Sequence, residues 1–118
     1  MDVKEAITAF SQSEKIKSSI IWASQAVEAF IGLPEEEKPG AVKILRAVIS
    51  MIGHEIHLCN KSAPHELWAD VDKSLNMALV MIDSNVAHES VYHLTQALTK
   101  VTSIGHQSLT CLKENGLM

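Results

Sequence analysis

The residue types best suited to chemistry are concentrated between positions 54 and 66. His54, Glu55, His57, His65 and Glu66 lie within these thirteen residues. On a helix, His54 and His57 are about one turn apart, so both imidazoles can face one ion, and a turn before His65 would bring it back towards them. One hypothesis is therefore a metal site formed by His54, His57 and His65. The alternative is surface histidines near a helix C-terminus, where positive charge is favourable.

Known cofactor and metal signatures are not present around these residues. The HExxH motif would need a histidine at Leu58, and the Glu-x-x-His pairs of di-iron bundles fail because Leu58 follows Glu55 and Tyr92 follows Glu89 at that spacing. The chain also lacks CxxCH, glycine-rich phosphate loops and Gly-x-Ser-x-Gly. We therefore expect that the protein binds no cofactor. The sequence favours a non-catalytic protein over an enzyme.

The segment Gly53-His54-Glu55-Ile56 offers a second chemical hypothesis. It resembles the start of the H-box in the dimerisation domains of sensor kinases, where an exposed histidine accepts and passes on a phosphoryl group. The resemblance implies a relay with His54 as phosphoacceptor and Glu55 holding the other ring proton or acting as base. It ends after four residues, because His57-Leu58 stands where the family has a basic residue followed by Thr-Pro or Asn-Pro.

The spacing of apolar residues predicts the elements that carry these side chains. Three-four spacing indicates four amphipathic helices over about 2–32, 41–60, 64–83 and 86–114. Short turns between them favour antiparallel neighbours, so we predict an all-α, up-down-up-down four-helix bundle forming a single domain, 1–118. Ser11 to Glu14 interrupts the first stripe, which leaves either one helix, the preferred interpretation, or a short arm over 2–10. Ser62 is the predicted N-cap of the third helix, with Pro64 in its first turn.

The predicted core consists of the residues that share one face of each helix. By this criterion the inward residues are Ile16, Ile20, Ala23, Val27, Phe30 and Ile31; Ala41, Leu45, Val48, Ile49, Ile52, Ile56 and Cys59; Trp68, Val71, Leu75, Ala78, Leu79 and Ile82; and Val91, Leu94, Leu98, Val101, Ile104 and Leu112.

An internal similarity links the second and fourth predicted helices. Residues 52–61 return as 104–113, with Ile, Gly, His, Cys and Lys in the same positions and Glu replaced by Gln. Each copy ends a long helical pattern, as a duplicated helical hairpin requires. Five matches in ten are also close to chance, so both interpretations stay open.

Composition excludes several classes of function. The net charge of −4 and the pI of about 5.8 argue against nucleic-acid binding. The longest apolar run is the six residues 77–82, whereas a membrane span needs about 20. Without a signal-peptide pattern, we expect a cytoplasmic protein with no membrane association and with two reduced cysteines.

Large apolar residues outside the predicted core suggest a binding function. If they are exposed, they add up to more apolar surface than a monomer normally leaves in water. We therefore expect an interaction module that forms a homodimer or docks a protein partner. The predicted interaction surface is Trp22, Ile44, Met51, Leu58, Met77 and Met81.

Overall fold

The computed structural model describes residues 1–118 and contains four α-helices and no strand. They are α1 (Val3–Ile31), α2 (Lys38–Ser62), α3 (Leu67–Asp83) and α4 (Ala87–Glu114). Each helix lies against the two helices beside it, including α1 against α4, whereas the backbones of the diagonal pairs α1/α3 and α2/α4 lie farther apart. This arrangement confirms the predicted four-helix bundle. No helix combines the length and the apolar character that crossing a bilayer requires.

A reciprocal cap starts α1. The Glu5 N–H donates to Oδ1 of Asp2 over 2.7 Å, and the Asp2 N–H donates to Oε1 of Glu5 over 3.5 Å. The bond from the Glu5 N–H lowers the pKa of the Asp2 carboxyl, because it stabilises the ionised form. The helix then runs through Ser11 and Glu14 without a break, so one long helix is confirmed.

The start of α2 differs slightly from the prediction. It begins at Lys38 rather than at residue 41, because Pro39 and Gly40 fit into its first turn. The acidic residues before it, Glu35–Glu37, form a single 3₁₀ turn.

The start of α3 shows that the predicted N-cap was wrong. Ser62 is the last residue of α2, and its hydroxyl donates to the carbonyl of Leu58. The N-cap residue is Glu66, which makes no side-chain capping bond, and the first helical N–H, that of Leu67, donates instead to Nδ1 of His65 over 3.0 Å. The N–H of His65 donates to Oδ1 of Asn60 over 3.1 Å, which ties the turn to the end of α2. Pro64 therefore lies in the connection and not in the helix.

The boundary between α3 and α4 falls at the predicted Asp83–Asn85 segment. Asn85 has a φ of 65°, in the left-handed region that asparagine tolerates better than most residues. A continuous helix cannot pass through this conformation, which explains the change in the direction of the apolar stripe.

The core runs along the bundle axis and confirms most of the predicted inward residues. The largest buried side chains are Trp68, Ile16, Ile20, Ile49, Ile56, Leu75, Leu94 and Ile104. Two predictions were wrong: Ile31 is 39% exposed and Val48 is 38% exposed. Helix α4 makes the most extensive contacts, with α1 and α3, and α2 is packed less closely against its two neighbours.

Candidate functional site

His54 lies on the outside of the bundle, as its helical phase predicts. It borders an open cleft of about 280 Å3 between α2 and α3, which is also lined by Gly53, His57, Asp72 and Asn76. The His54 side chain makes neither a hydrogen bond nor an ion pair, in contrast to the His57 ring, whose Nε2 lies 3.6 Å from Oδ2 of Asp72.

Glu55 does not assist His54. Its Oε2 lies 3.1 Å from Nζ of Lys15 on α1, so its carboxylate points towards α1, while His54 borders the cleft on the α3 side. A phosphotransfer reaction at His54 would therefore proceed without the adjacent carboxylate that the H-box resemblance implies.

The three predicted metal ligands are not brought together. His65 uses both ring nitrogens: Nδ1 accepts from Leu67, so in the neutral ring Nε2 carries the proton and donates to Oε1 of Gln107 over 2.6 Å. His57 pairs with Asp72 instead. No group of three histidine, cysteine, aspartate or glutamate side chains has the geometry to hold an ion.

The two copies of the internal similarity occupy partly equivalent positions. Both isoleucines are buried and both histidines are exposed, but the glycines differ, since Gly105 is buried and Gly53 is half-buried. The duplicated hairpin stays a prediction. The five identical pairs are Ile52 and Ile104, Gly53 and Gly105, His54 and His106, Cys59 and Cys111, and Lys61 and Lys113.

Both cysteines are free thiols, on the diagonal helices α2 and α4. Burial raises the pKa of the Cys59 thiol to about 11, because an ionised sulfur loses its hydration there. Cys59 is therefore inert at neutral pH, whereas Cys111 is half-buried.

The predicted interaction surface is largely exposed but divided. Trp22 and Ile44 are each 69% exposed and Met51 is 67% exposed. Leu58 and Met77 are also exposed, whereas Met81 is half-buried, contrary to expectation. The first four belong to α1 and α2, whereas the two on α3 lie beyond the cleft between α2 and α3, which is lined by polar residues such as His57, Asp72 and Asn76. The six residues therefore do not form one surface.

A continuous apolar surface remains where α1 and α2 meet, and we call it the α1/α2 face. Between the two helices lies a cleft of about 250 Å3 lined only by apolar side chains. Trp22 lies four residues before Ala26 and Met51 three residues after Val48, so helical spacing places both exposed side chains on the same side, one turn beyond the cleft. The face comprises Trp22, Ala26, Ala29, Leu33, Ala41, Ile44, Val48 and Met51.

Charged residues mark both ends of the α1/α2 face. At one end the Lys15–Glu55 ion pair crosses between the helices, and at the other lies the acidic turn Glu35–Glu37. Neither row of the face contains a charged residue between these limits. Helices α1 and α2 run antiparallel. Trp22 lies seven residues after Lys15 and Val48 lies seven residues before Glu55, so Trp22 and Val48 are at the same height along the two helices.

No protein-family model, curated protein or solved structure matches this chain.

Sequence reasoning found only part of the α1/α2 face. It assigned Val48 and Ala41 to the core because their phase lies close to that of Leu45. The available signal was the spacing of three, four and three residues between positions 41, 44, 48 and 51, which marks a second apolar row along α2.

Proposed function

We propose that this protein is a non-catalytic interaction module that binds a protein partner through the α1/α2 face. The observation that supports this most directly is the continuity of exposed apolar side chains across two helices, with no charged residue in either row of the face. Trp, Ile and Met are well suited to such a surface, because they combine large contact area with few polar atoms.

The extent of the face supports the same proposal. We count about 100 Å2 for each of its three large side chains and about half of that for each of the five smaller ones, which gives roughly 500 Å2 of apolar surface. The largest apolar patch of an ordinary monomer is about 300–600 Å2 and is often functional. At about 25 cal/mol per Å2, covering the face would supply on the order of 10 kcal/mol before the costs of association.

Two single variants test the proposal: one places a negative charge in the α1/α2 face, and the other places the same charge on α3 as a control. Met51→Glu introduces a carboxylate that a partner would have to bury, so the complex should be lost. Met77→Glu is the matched control, since Met77 is exposed on α3, away from the face. The measurement is the size of the tagged protein in native host extract and after purification, relative to the 12.9 kDa of one chain.

We expect the wild type and Met77→Glu to migrate in a larger complex and Met51→Glu to migrate as a monomer. Circular dichroism should show the same helicity for all three proteins. A wild type that is monomeric both in extract and when pure, or a complex unaffected by Met51→Glu, would contradict the proposed function.

Phosphotransfer at His54 is the second candidate function, favoured by the exposure of a ring that makes no hydrogen bond or ion pair. With acetyl phosphate, a ring nitrogen would attack phosphorus, acetate would leave, and the ring proton would pass to water. The expected product is an acid-labile label that is lost in His54→Ala and kept in His106→Ala, the exposed histidine of the second copy. Equal labelling of both variants would dismiss His54 as the acceptor.

A further inference from the structure

We infer that the partner on the α1/α2 face is a second copy of this chain, bound about a two-fold axis perpendicular to the helices. The inference rests on the proposed function and adds the identity and the orientation of the partner. Two two-fold axes can bring the face onto itself, one along the helices and one across them. The charges at the ends of the face distinguish between them.

An axis along the helices would place the two acidic turns against each other. Glu36 and Glu37 are exposed and make no ion pair, and each chain carries a net charge of −4. An axis across the helices separates these turns and brings each towards the opposite end of the other copy. Lys61 is exposed at that end and also lacks an ion pair, so the second orientation is electrostatically complementary.

The spacing of apolar residues on α2 places the axis beside Ala47 and Val48. Ile44 lies three residues before Ala47, and Met51 lies three residues after Val48. In an antiparallel pair of α2 helices, Ile44 of each copy therefore lies opposite Met51 of the other. Trp22, which is level with Val48, then lies close to the axis and meets Trp22 of the second copy.

The same register brings the ends of the face together. Leu58 lies ten residues after Val48, and Glu37 lies ten residues before Ala47. Leu58 and Lys61 of one copy consequently reach the acidic turn of the other. The apolar core of the interface is thus flanked at both ends by a charged rim, as in other specific interfaces.

The area is sufficient for a specific but modest dimer. Two copies that each bury roughly 500 Å2 of apolar surface, together with their polar rims, exceed the ~1,000 Å2 that separates biological interfaces from incidental ones. We expect dimer and monomer to exchange at micromolar concentration.

Sedimentation velocity of the purified protein tests the identity of the partner. The wild type should approach twice the 12.9 kDa of one chain as its concentration rises from about 1 to about 200 µM. Ile44→Glu and Met51→Glu should stay monomeric, and Met77→Glu should behave like the wild type. Two face variants are used so that a folding defect in one leaves the other informative.

Disulfide cross-linking tests the orientation. In a Cys111→Ser background, Ala47→Cys should form an intermolecular disulfide within minutes under mild oxidation, since residue 47 is exposed and lies beside the axis. Val80→Cys, exposed on α3, is the control and should not cross-link. Cys59 stays inert because it is buried.

Each alternative result has a distinct meaning. A purified wild type that stays monomeric at about 200 µM overturns this inference, while a Met51-dependent complex in host extract would leave the proposed function standing. A dimer in which Ala47→Cys does not cross-link overturns the orientation, since an axis along the helices would place α2 against α1 of the other copy. A dimer that cross-links as expected supports both parts of the inference.

Discussion

Helix α1 packs against α4 and against α2 in different ways. Towards α4 it presents small buried residues, and a Cβ added at Gly105 would lie only 2.8 Å from Oγ of Ser13. Towards α2 it leaves an open apolar cleft, closed at one end by an exposed ion pair. One side of α1 is therefore closely packed against α4, while apolar surface stays exposed on the side towards α2.

The two glycines of the internal similarity show a second contrast, between the α1/α4 contact and the α2/α3 contact. Gly105 belongs to the close α1/α4 contact, whereas a Cβ at Gly53 would meet Oδ1 of Asp72 at 3.6 Å, an ordinary contact distance. A glycine is therefore required at position 105, between α4 and α1, whereas a larger residue can be accommodated at the equivalent position 53, between α2 and α3. Helix α2 is thus packed less closely against its neighbours than α4 is.

The largest effect should come from Gly105→Ala. The added methyl must displace the Ser13 hydroxyl, which either breaks its hydrogen bond to the carbonyl of Phe10 or forces α1 and α4 apart. We expect the free energy of unfolding to fall by about 2 kcal/mol, even after the gain in helix propensity. Urea denaturation measures this free energy. An unchanged midpoint would show that the α1/α4 contact can accommodate the added methyl group.

A charge reversal at the rim of the α1/α2 face should have a smaller effect. Lys61→Glu should weaken the dimer about fivefold, or roughly 1 kcal/mol, because it faces the acidic turn of the second copy. Adding Glu36→Lys and Glu37→Lys should restore the affinity. Lys113→Glu, at the equivalent position of α4, serves as the control. Sedimentation equilibrium gives the dissociation constants, and failure of the rescue would contradict the proposed register.

Gly53→Ala should stabilise the protein, which is the opposite of the effect at Gly105. The added methyl meets no backbone, and alanine is favoured over glycine inside a helix by about 0.5–1 kcal/mol. The midpoint of thermal unfolding should therefore rise by a few degrees. A loss of stability comparable to that of Gly105→Ala would show that the α2/α3 contact is packed as closely as the α1/α4 contact.

The smallest effect should follow from Glu55→Gln. The Lys15–Glu55 pair is exposed, and exposed pairs contribute between 0 and about 1 kcal/mol, so we expect a loss below about 0.5 kcal/mol. The difference from wild type should disappear in about 1 M salt. A larger loss in chemical denaturation would indicate that this pair, and not apolar packing, holds α1 against α2.

Much of the fold followed from the residue pattern, but the site followed only in part. The stripes of Ile16, Ile49 and Leu75 were sufficient to predict the helices, because period and burial are linked in an amphipathic helix. The bond from the Leu67 N–H to the His65 ring was missed because an imidazole has no strong preference for this role. The direction of Glu55 was missed as well, since it depends on Lys15, 40 residues away in the chain.

The sequence by itself determined the four helices, their order around the bundle and the exposure of Trp22, Ile44 and Met51, because these depend on local periodicity and on short connections. Only the tertiary structure decided which exposed residues share a surface. It joined Trp22 to Ile44 and Met51, separated Met77 and Met81 from them, and moved Val48 from the core to the face. The helical period defines the direction in which each side chain points from its own helix. Whether that side chain is buried depends on how closely the neighbouring helix approaches.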